Sequence, residues 1–454
     1  MYGKIKRIHF VGIGGIGMSG IAEVLLNIGY EISGSDIGQS STVKRLKDLG
    51  ATITIGHSAE NVEGAGVVVT SSAIKSDNPE VLRAKEINIP VIPRAEMLAE
   101  LMRLRYGIAV AGSHGKTTTT SMTAAVLSYG KLDPTIVVGG KVKTMGTNAR
   151  LGSGDFMVVE ADESDGSFLK LSPVISVLTN IDEEHMDYYK NMDELENTFM
   201  AFLDKIPFYG LSVLCIDCPR IKELSNNFKK RFITYGFDKE AELRAQDVKI
   251  SGFETKFDVY LNGADLGSVT LHVPGRHNAQ NALAAIAIGM ELGMSFEDTS
   301  KGLSEFRGID RRLQIKGKQR GITVIDDYAH HPSEIEVTLS AIKESHDGRV
   351  VVIFQPHRYS RTKLLFNEFA RVLVDTDMLY IMDIYAASED PIEGVSSELL
   401  CQSVIDKGGK NVRYLNGEDM LSTVLDDLKQ NDIVLTLGAG NIWAFGEKIV
   451  EGLR

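Results

Sequence analysis

Short, unbroken apolar runs recur along the chain, and segments with helical spacing separate many of them. Residues 8–11, 108–111 and 350–354 are three such runs. A strand that is apolar on both faces is typical of a parallel sheet with helices packed on each side. The pattern therefore predicts an α/β fold. The other runs that we assign to strands are 31–35, 51–55, 67–70, 156–160, 174–178, 322–325, 378–382 and 433–437.

The order of these runs predicts three domains, which agrees with a length of 454 residues at about 150 residues per domain. Residues 1–103 are expected to form a Rossmann-like N-terminal domain. Residues 104–308 are expected to form a central α/β domain, and residues 309–454 a Rossmann-like C-terminal domain.

The central domain is predicted to combine a parallel sheet with a small antiparallel sheet. Between about residues 247 and 272 the pattern changes to short alternating strands around Asn262-Gly263, a dipeptide typical of hairpin turns. A helix over 278–292 follows and ends this domain.

Composition describes an ordinary globular protein, with 43% hydrophobic and 24% charged residues. No apolar run approaches the ~18 residues of a membrane span, and the chain leads straight into a strand without a signal peptide. Cys215 and Cys218 form a C-x-x-C without the second pair that a zinc site needs. We therefore expect a cytoplasmic protein without membrane insertion. The sequence does not specify an oligomeric state.

The formal net charge of −12 argues against a nucleic-acid-binding surface. It also requires that local positive groups hold any anionic ligand against the field of the whole protein. Two glycine-rich loops meet that requirement.

The first loop, residues 12–17, follows the first strand and has the sequence GIGGIG. Gly14, Gly15, Ile16 and Gly17 offer backbone N–H groups at a helix N-terminus, a favourable place for a diphosphate. Asp36, nineteen residues after Gly17, completes the pattern of an NAD-binding fold. A nucleotide sugar presents a diphosphate in the same way, so the loop predicts the diphosphate and leaves the rest of the ligand open.

The second loop has the G-x-x-G-K-T core of a phosphate-binding P-loop, although Val110 stands where a full motif has its first glycine. Lys116 is expected to reach the β- and γ-phosphates of ATP, and the Thr117 hydroxyl to bind Mg²⁺, for which Mn²⁺ can substitute. The loop therefore predicts ATP binding. The other residues assigned to the nucleotide here are Gly112, His114, Gly115 and Thr118.

With these loops and the motifs that follow them, the chain resembles the Mur ligases of bacterial peptidoglycan synthesis. The resemblance runs from end to end of the sequence. The motifs that carry it are 12–19 (GIGGIGMS), 112–118 (GSHGKTT), 160–164 (EADES), 179–182 (TNID) with His185 and Asp187, 274–281 (PGRHNAQN), 311–312 (RR), 326–332 (DDYAHHP) and 355–361 (QPHRYSR).

The resemblance implies an N-terminal domain that binds UDP, a central ATPase domain and a C-terminal domain that closes over the site. It is closest to the family member that joins L-alanine to UDP-N-acetylmuramate. There ATP phosphorylates the lactyl carboxylate, and the alanine amine displaces phosphate from the acyl phosphate.

Three alternatives stay open from the sequence. A family member that recycles a murein tripeptide shares much of the pattern and differs in its amine substrate. An NAD-dependent oxidoreductase with an accessory ATPase domain belongs to a different class. A non-catalytic nucleotide-sugar sensor is a third reading, against which the set of Lys116, Glu160 and His185 argues.

The metal-binding residues are expected to be Thr117, Glu160 and His185. Glu160 ends an apolar strand, where a hard carboxylate can bind Mg²⁺, and the resemblance implies that His185 serves a second Mg²⁺. Several Mur ligases use a carbamylated lysine there. The segment 162–168 contains acids but no lysine, so we expect no carbamate and assign its negative charge to one of these acids, without indicating which.

Adenine is expected to contact His277, Asn278 and Asn281. The two asparagines lie one helical turn apart and can each donate and accept hydrogen bonds, although Asn278 could instead cap the helix. The resemblance places Arg312 near the transferred phosphate and Asp327 near the ribose or an arginine.

The C-terminal domain is expected to bind L-alanine through Tyr328, His330, Arg358 and Arg361. An arginine recognises a carboxylate with two parallel hydrogen bonds, and His330 is a candidate base for the alanine amine.

At the other end of the substrate, Ser71, Ser72, Arg94 and His57 are candidate contacts to the nucleotide or sugar. The two serines follow the strand at 67–70, at the edge of the sheet where Rossmann ligands bind.

Overall fold

The structure, a computed structural model, describes residues 5–71, 73–142, 147–186 and 188–454, with the backbone alone for Lys141 and Val142. Ser72 and Asp187 lie outside the described residues. The predicted α/β class is confirmed, and every apolar run assigned to a strand forms one. Within the described residues the strands form three sheets, of five, ten and six strands. None of the described helices is long and apolar enough to cross a membrane.

The five-stranded sheet is parallel, with the order β3-β2-β1-β4-β5. Its order reverses between β1 and β4, the place where α/β sheets bind ligands. Helix α1 ends at Gly29, whose φ of 104° is the left-handed conformation that glycine adopts readily. The elements are β1 (Arg7–Val11), α1 (Ile16–Ile28), β2 (Glu31–Asp36), α2 (Ser41–Asp48), β3 (Thr52–Ile55), β4 (Val67–Thr70), α3 (Pro79–Glu86), β5 (Val91–Pro93) and α4 (Arg94–Met102), with a 3₁₀ turn at Ala59–Val62.

The ten-stranded sheet has the order β15-β14-β13-β12-β11-β10-β6-β9-β7-β8. The predicted hairpin joins β14 to β15 through Asn262 and Gly263, whose φ values of 50° and 84° suit a type I′ turn. The hairpin is continuous with the parallel sheet, because β13 pairs in parallel with β12. The elements are β6 (Tyr106–Ala111), α5 (Lys116–Tyr129), β7 (Thr135–Val142), β8 (Thr147–Arg150), β9 (Phe156–Glu160), β10 (Ile175–Leu178), α6 (Met192–Leu203), β11 (Leu211–Cys215), α7 (Pro219–Ser225), β12 (Phe232–Gly236), β13 (Leu243–Ser251), β14 (Glu254–Leu261), β15 (Ala264–Leu271), α8 (Arg276–Glu291) and α9 (Phe296–Ser304), with a 3₁₀ turn at Ser167–Lys170.

The six-stranded sheet has the order β16-β17-β21-β18-β19-β20, and only its edge strand β16 is antiparallel to its neighbour. The elements are β16 (Gln314–Gln319), β17 (Ile322–Asp327), α10 (Pro332–Ser345), β18 (Val350–Phe354), α11 (Tyr359–Leu364), α12 (Phe366–Leu373), β19 (Met378–Met382), α13 (Ser397–Asp406), β20 (Val412–Leu415), α14 (Met420–Asp427), β21 (Ile433–Leu437) and α15 (Ile442–Gly452).

Strand β18 shows why these runs are apolar without interruption. Val350 and Val352 pack into the core on one face of the sheet, whereas Val351 and Ile353 pack into the core on the other. Because both faces are covered, neither set of alternate positions can be polar.

The chain divides by its internal contacts into two compact units. The first comprises Met1–Asp247, Phe257–Thr270 and Gln280–Phe306, and it holds the five-stranded sheet and most of the ten-stranded sheet. The second comprises Val248–Lys256, Leu271–Ala279 and Arg307–Arg454, and it holds the six-stranded sheet. The three domain borders given above remain predictions.

Gly34 in β2 offers a test of the packing beneath the first glycine-rich loop. A Cβ there would lie 2.7 Å from Ile13 Cδ1 and 2.8 Å from the carbonyl oxygen of Phe10. We expect Gly34→Ala to destabilise the protein by about 1–3 kcal/mol, because the backbone must shift to admit the methyl group. Urea unfolding followed by circular dichroism measures the change.

Gly38→Ala is the matched control, since a Cβ at Gly38 meets no atom within 4 Å. Equal unfolding midpoints for the two variants would contradict the expected crowding at Gly34.

Candidate active site

The first glycine-rich loop joins β1 to α1 at the carboxyl edge of the five-stranded sheet. Asp36 ends β2 and its Oδ2 accepts a hydrogen bond from the Gly14 N–H at 2.8 Å. Helix α1 begins at Ile16 after Gly15, which has no side chain to cap it. The first N–H groups of the helix therefore provide a site for an anion.

Ser71 and Arg94 lie beside this loop. A Cβ added at Gly17 would lie 3.0 Å from Arg94 Nη1, and one added at Gly12 would lie 3.8 Å from Ser71 Oγ. Arg94 also donates to Asp162 Oδ2 at 3.2 Å. The structure thus brings a guanidinium group to the start of α1.

His57 follows β3, the strand beyond β2 in the same sheet. Its Nδ1 lies 3.0 Å from Glu80 Oε2. Because parallel strands end at the same edge, His57 and Asp36 share that edge with the first glycine-rich loop.

The P-loop follows β6 and leads into α5, which begins at Lys116. Lys116 Nζ donates to the carbonyl oxygens of Gly112 (2.6 Å) and Ser113 (3.0 Å) and to Glu163 Oε1 (2.7 Å). Burial alone lowers the pKa of Lys116, but the charges of Glu163 and Glu160 outweigh burial and raise it. The lysine therefore stays cationic inside the loop.

Thr117 and Glu160 lie together at the ends of neighbouring elements. The Thr117 hydroxyl is 3.0 Å from both carboxylate oxygens of Glu160, and the Gly139 N–H donates to Glu160 Oε2 at 2.7 Å. A hydroxyl and a carboxylate in contact are hard oxygen ligands of the kind that Mg²⁺ prefers.

The segment after β10 supports the P-loop from behind. Asn180 Oδ1 accepts from the His114 N–H at 2.8 Å, and His114 Nε2 lies 2.9 Å from Asp182 Oδ2. At Gly112, with a φ of +127°, a Cβ would lie 2.2 Å from Thr179 Oγ1. This contact explains why glycine stands at that position. Thr118 lies in the first turn of α5 and is partly exposed.

Glu163, Glu184 and His185 form a cluster whose potential ligand atoms all lie within 4.8 Å of one another. Burial raises the pKa of Glu163 to about 7, although the Lys116 charge opposes that rise. Glu163 Oε2 is buried and has no hydrogen-bond partner among the described residues. Its other oxygen, Oε1, lies 3.8 Å from His185 Nε2. A buried carboxylate that has one unpartnered oxygen and an imidazole beside the other fits a second divalent cation.

Asn281 lies against the P-loop, where its Oδ1 accepts from Thr119 Oγ1 at 3.2 Å. One turn earlier in α8, the Asn278 side chain donates to the carbonyl oxygen of Pro274 at 2.7 Å. Both asparagines are buried. Burial and the charge of Arg312 lower the pKa of His277 to about 4, which leaves its imidazole neutral.

The two Arg-Asp pairs of the C-terminal motifs behave differently. Arg311 forms an ion pair with Asp326 at 3.3 Å, whereas Arg312 lies 3.4 Å from Glu334 Oε1. Asp327 accepts from the N–H groups of Leu313 and Ala329 at 2.7 and 2.8 Å. Burial raises the pKa of Asp327 to about 6. Its two oxygens thus hold the backbone directly after Arg312 and directly after Tyr328.

Tyr328, His330, His357 and Arg361 form an aromatic and basic cluster in the second unit. The His330 ring centroid lies 5.1 Å from that of Tyr328 and 5.8 Å from that of His357, and Arg361 Nη1 lies 3.4 Å from His357 Nδ1. Arg358 lies near Glu389, 4.0 Å away. Burial, with the charges of His330 and the two arginines, lowers the pKa of His357 to about 3.

Sequence reasoning missed the particular roles of two residues. Glu163 was one of several acids in 162–168, and its contact with Lys116 comes from a segment 47 residues away. His357 lies in a motif that was recognised from the sequence. Only the structure shows that its ring lies between those of His330 and Tyr385, with the His357 and Tyr385 rings stacked at 5.6 Å between centroids.

Three family models match the chain in succession. They are the Mur ligase family catalytic domain at residues 7–106, the Mur ligase middle domain at 110–289 and the Mur ligase glutamate ligase domain at 311–440. The chain therefore belongs to the Mur ligase family, whose members are ATP-dependent.

Relatives within the family are more specific. The chain is 56% identical over 455 aligned residues to the UDP-N-acetylmuramate–L-alanine ligase of Geotalea uraniireducens, covering 100% of this chain and 99% of that one. The UDP-N-acetylmuramate–alanine ligase of Thermotoga maritima is 31% identical, with a TM-score of 0.84 and 98% of each chain covered. A murein peptide ligase of Psychrobacter arcticus shares the fold at 23% identity, with a TM-score of 0.72, covering 99% of this chain and 98% of that one.

The contact between Glu163 and Lys116 generates a prediction for nucleotide binding without metal. We expect Glu163→Gln to bind ATP about tenfold more tightly than the wild type in the presence of EDTA, because it frees Lys116 and removes a negative charge beside the phosphates. Calorimetric titration with ATP measures this.

Asp165→Asn is the matched control, since Asp165 carries the same charge on the same segment but is exposed. Metal-free ATP affinity that is unchanged or weaker in Glu163→Gln would argue that the carboxylate does not restrain Lys116.

Proposed function

We propose that the chain is an ATP-dependent ligase that joins L-alanine to the lactyl carboxylate of UDP-N-acetylmuramate in peptidoglycan precursor synthesis. The observation that carries the proposal is the combination of a diphosphate loop with a P-loop set of Lys116, Thr117 and Glu160 in a chain 56% identical, over its full length, to a ligase of that name. The products are ADP, phosphate and the alanyl amide.

The chemistry requires activation because a carboxylate is a poor electrophile. Transfer of the γ-phosphoryl group of ATP to the lactyl carboxylate forms an acyl phosphate and ADP. The neutral amine of L-alanine then attacks the acyl carbon, the C–O bond to phosphate breaks, and the amine loses a proton. Phosphoryl transfer brings several negative charges together, so positioned cations supply much of the catalysis.

Lys116 is the protein's own cation for this step. Its proposed role is to bind the β- and γ-phosphates, which would replace the carbonyl oxygens of Gly112 and Ser113 as its partners. The proposed nucleotide contacts also include Gly112, His114, Gly115 and Thr118 in the P-loop, and His277, Asn278, Asn281, Arg312 and Asp327 elsewhere.

The side chains present fit divalent cations at two places. Thr117 and Glu160 would hold one Mg²⁺, and His185 with Glu163 and Glu184 would hold a second, Mn²⁺ being a substitute at either. When bound, the cations neutralise phosphate oxygens during transfer. The unpartnered Oε2 of Glu163 supports the second position. Glu163 supplies there the negative charge that a carbamylated lysine supplies in other Mur ligases.

The aromatic and basic cluster is proposed to receive L-alanine. Arg361 and Arg358 would bind its carboxylate, and Tyr328 would border the amino acid. His330 is the proposed base for the amine, because its Nδ1 lies 3.2 Å from Glu334 Oε2, a carboxylate that can stabilise the imidazolium. The low pKa of His357 makes that neighbour a neutral hydrogen-bonding group.

The UDP end is proposed to bind at the first glycine-rich loop. Gly14, Gly15, Ile16 and Gly17 would hold the diphosphate with Arg94, and Asp36 would lie near the ribose. Ser71 and His57 complete the proposed contacts. Such a substrate belongs to the cytoplasm, and no role for a nucleic acid or a membrane enters the proposal.

The assay of first choice is phosphate release from ATP with Mg²⁺, with UDP-N-acetylmuramate and L-alanine each omitted in turn. We expect release only when both are present, together with a product heavier by one alanyl residue. Turnover with L-Ala-γ-D-Glu-meso-diaminopimelate but not with alanine would instead indicate the recycling ligase. Absence of turnover with either amine would overturn the ligase assignment.

Arg361 provides a test of the amino-acid site. We expect Arg361→Lys to raise the KM for L-alanine at least about tenfold, because lysine cannot make the two parallel hydrogen bonds of a guanidinium group to a carboxylate. The KM for UDP-N-acetylmuramate should change little. Steady-state kinetics with each substrate varied in turn separates the two effects.

Arg371→Lys is the control, since Arg371 is an exposed partner of Glu336 in the same unit. An unchanged KM for alanine in Arg361→Lys would remove that residue from the site.

A further inference from the structure

A buried carboxylate lies beneath the carboxyl edge of the five-stranded sheet, in a polar cluster of which the proposed function uses only His57. Glu80, in α3, is 0% exposed. Its Oε2 accepts from Ser35 Oγ at 2.6 Å and lies 3.0 Å from His57 Nδ1. Its Oε1 accepts from Asn61 Nδ2 at 2.6 Å and lies 3.7 Å from His9 Nε2.

This carboxyl group is ionised in the folded protein. Burial by itself raises the pKa of Glu80, but the His9 imidazole and hydrogen bonds from Ser35 and Asn61 outweigh burial and lower the pKa to about 2. A buried charge is a poor means of stabilising a fold, because apolar side chains of similar volume serve as well or better. We therefore expect the role of this cluster to lie in ligand binding rather than in stability of the fold.

The hydrogen bonds around Glu80 require that Nδ1 of His57 carries a hydrogen. An ionised carboxylate can only accept hydrogen bonds, and Ser35 already donates its hydroxyl proton to Glu80. His57 Nδ1 lies 3.0 Å from both Glu80 Oε2 and Ser35 Oγ, so Nδ1 must carry the hydrogen that satisfies this contact. The remaining ring nitrogen, Nε2, makes no hydrogen bond to any described residue.

The position of His57 relates this proton to a ligand. His57 follows β3 and is 19% exposed, while Ser35 and Asp36 end β2 beside it. In a Rossmann-like domain the acidic residue after the second strand lies near the ribose of a nucleotide whose phosphates bind the first loop. The next strand end therefore lies on the nucleoside side of that ribose.

We propose that Glu80 is a positioning residue that holds His57 with Nδ1 protonated, so that Nε2 accepts a hydrogen bond from an N–H or O–H donor on the nucleoside of the UDP-sugar. The inference rests on the proposed function, in which this domain binds UDP. Uracil N3–H and the 2′- and 3′-hydroxyls of the ribose are the two kinds of donor that such a nucleoside offers.

The first test uses the full-length wild-type chain labelled with ¹⁵N-histidine. The chain has ten histidines, and His57 is one of them. Two-bond proton–nitrogen correlation spectra at mildly alkaline pH report which ring nitrogen carries hydrogen, and the signal lost in His57→Asn identifies the residue. We expect an unprotonated Nε2. A protonated Nε2, in the other tautomer or in an imidazolium, overturns the proposal.

The second test removes only Nε2. In His57→Asn the amide can still donate to Glu80 but has no group at the Nε2 position, so the cluster is retained. We expect the Kd for UDP and the KM for UDP-N-acetylmuramate to rise about five- to tenfold, the effect of one lost hydrogen bond, with kcat little changed. His272→Asn, which alters a partly exposed partner of Glu254, is the control.

The third test acts on the positioning residue itself. Glu80→Gln has one acceptor oxygen instead of two and therefore holds the Nδ1 hydrogen of His57 less firmly. We expect this variant to populate the Nε2-protonated form of His57 and to raise the KM for UDP-N-acetylmuramate. Glu63→Gln, which removes an exposed carboxylate paired with Arg83 in the same domain, should do neither. If Glu80→Gln does not fold, the first two tests still decide.

N3-methyl-UDP distinguishes the two donors. If uracil N3–H is the donor, N3-methylation raises the Kd for the wild type. It leaves the Kd for His57→Asn unchanged, because that variant has already lost the hydrogen bond. If a ribose hydroxyl is the donor, methylation affects both proteins equally. UDP binding that is unchanged in His57→Asn overturns the inference, whereas alanine-dependent phosphate release by the wild type would leave the ligase assignment intact.

Discussion

The charge of Lys116 is held inside the P-loop by two backbone carbonyls and the buried carboxylate of Glu163. This arrangement depends on three parallel strands that end together. Strand β6 leads into the loop, β9 leads to Glu160 and Glu163, and β10 leads to the segment that supports the loop from behind. Taking a lysine out of water is costly unless acceptors surround it. The buried charge of Lys116 therefore depends on the register of these strands, which places its acceptors around it.

A related constraint applies to three of the arginines assigned to substrates or nucleotide, each of which has a carboxylate partner. Arg94 contacts Asp162, Arg312 lies near Glu334, and Arg358 lies near Glu389. In a chain with a net charge of −12, each of these cations thus has an anionic partner in the protein itself. Binding of a phosphate or carboxylate would therefore exchange one anionic partner for another, and selectivity depends on the geometry of the competing acid as well as on that of the arginine or lysine.

Glu80 and Glu163 show two outcomes of burying a carboxylate. Hydrogen-bond donors surround Glu80 and lower its pKa to about 2, whereas burial dominates at Glu163 and raises its pKa to about 7. Glu80 therefore acts as a fixed acceptor that orients its neighbours. In Glu163, Oε1 contacts Lys116 and His185 while Oε2 has no hydrogen-bond partner among the described residues, as suits a group that is completed by a ligand.

Local sequence was sufficient for the strands, the two glycine-rich loops and the hairpin at Asn262-Gly263, because each depends on the periodicity or backbone freedom of a few adjacent residues. The family followed from motifs read in order, and with it the candidate residues, whose roles remain proposals. Periodicity could not distinguish Glu163 from the other acids of its segment, nor connect Glu80 with His57. Only the tertiary structure distinguished Glu163 and connected Glu80 with His57. Both depend on burial, which arises where residues distant in the chain exclude water from one another.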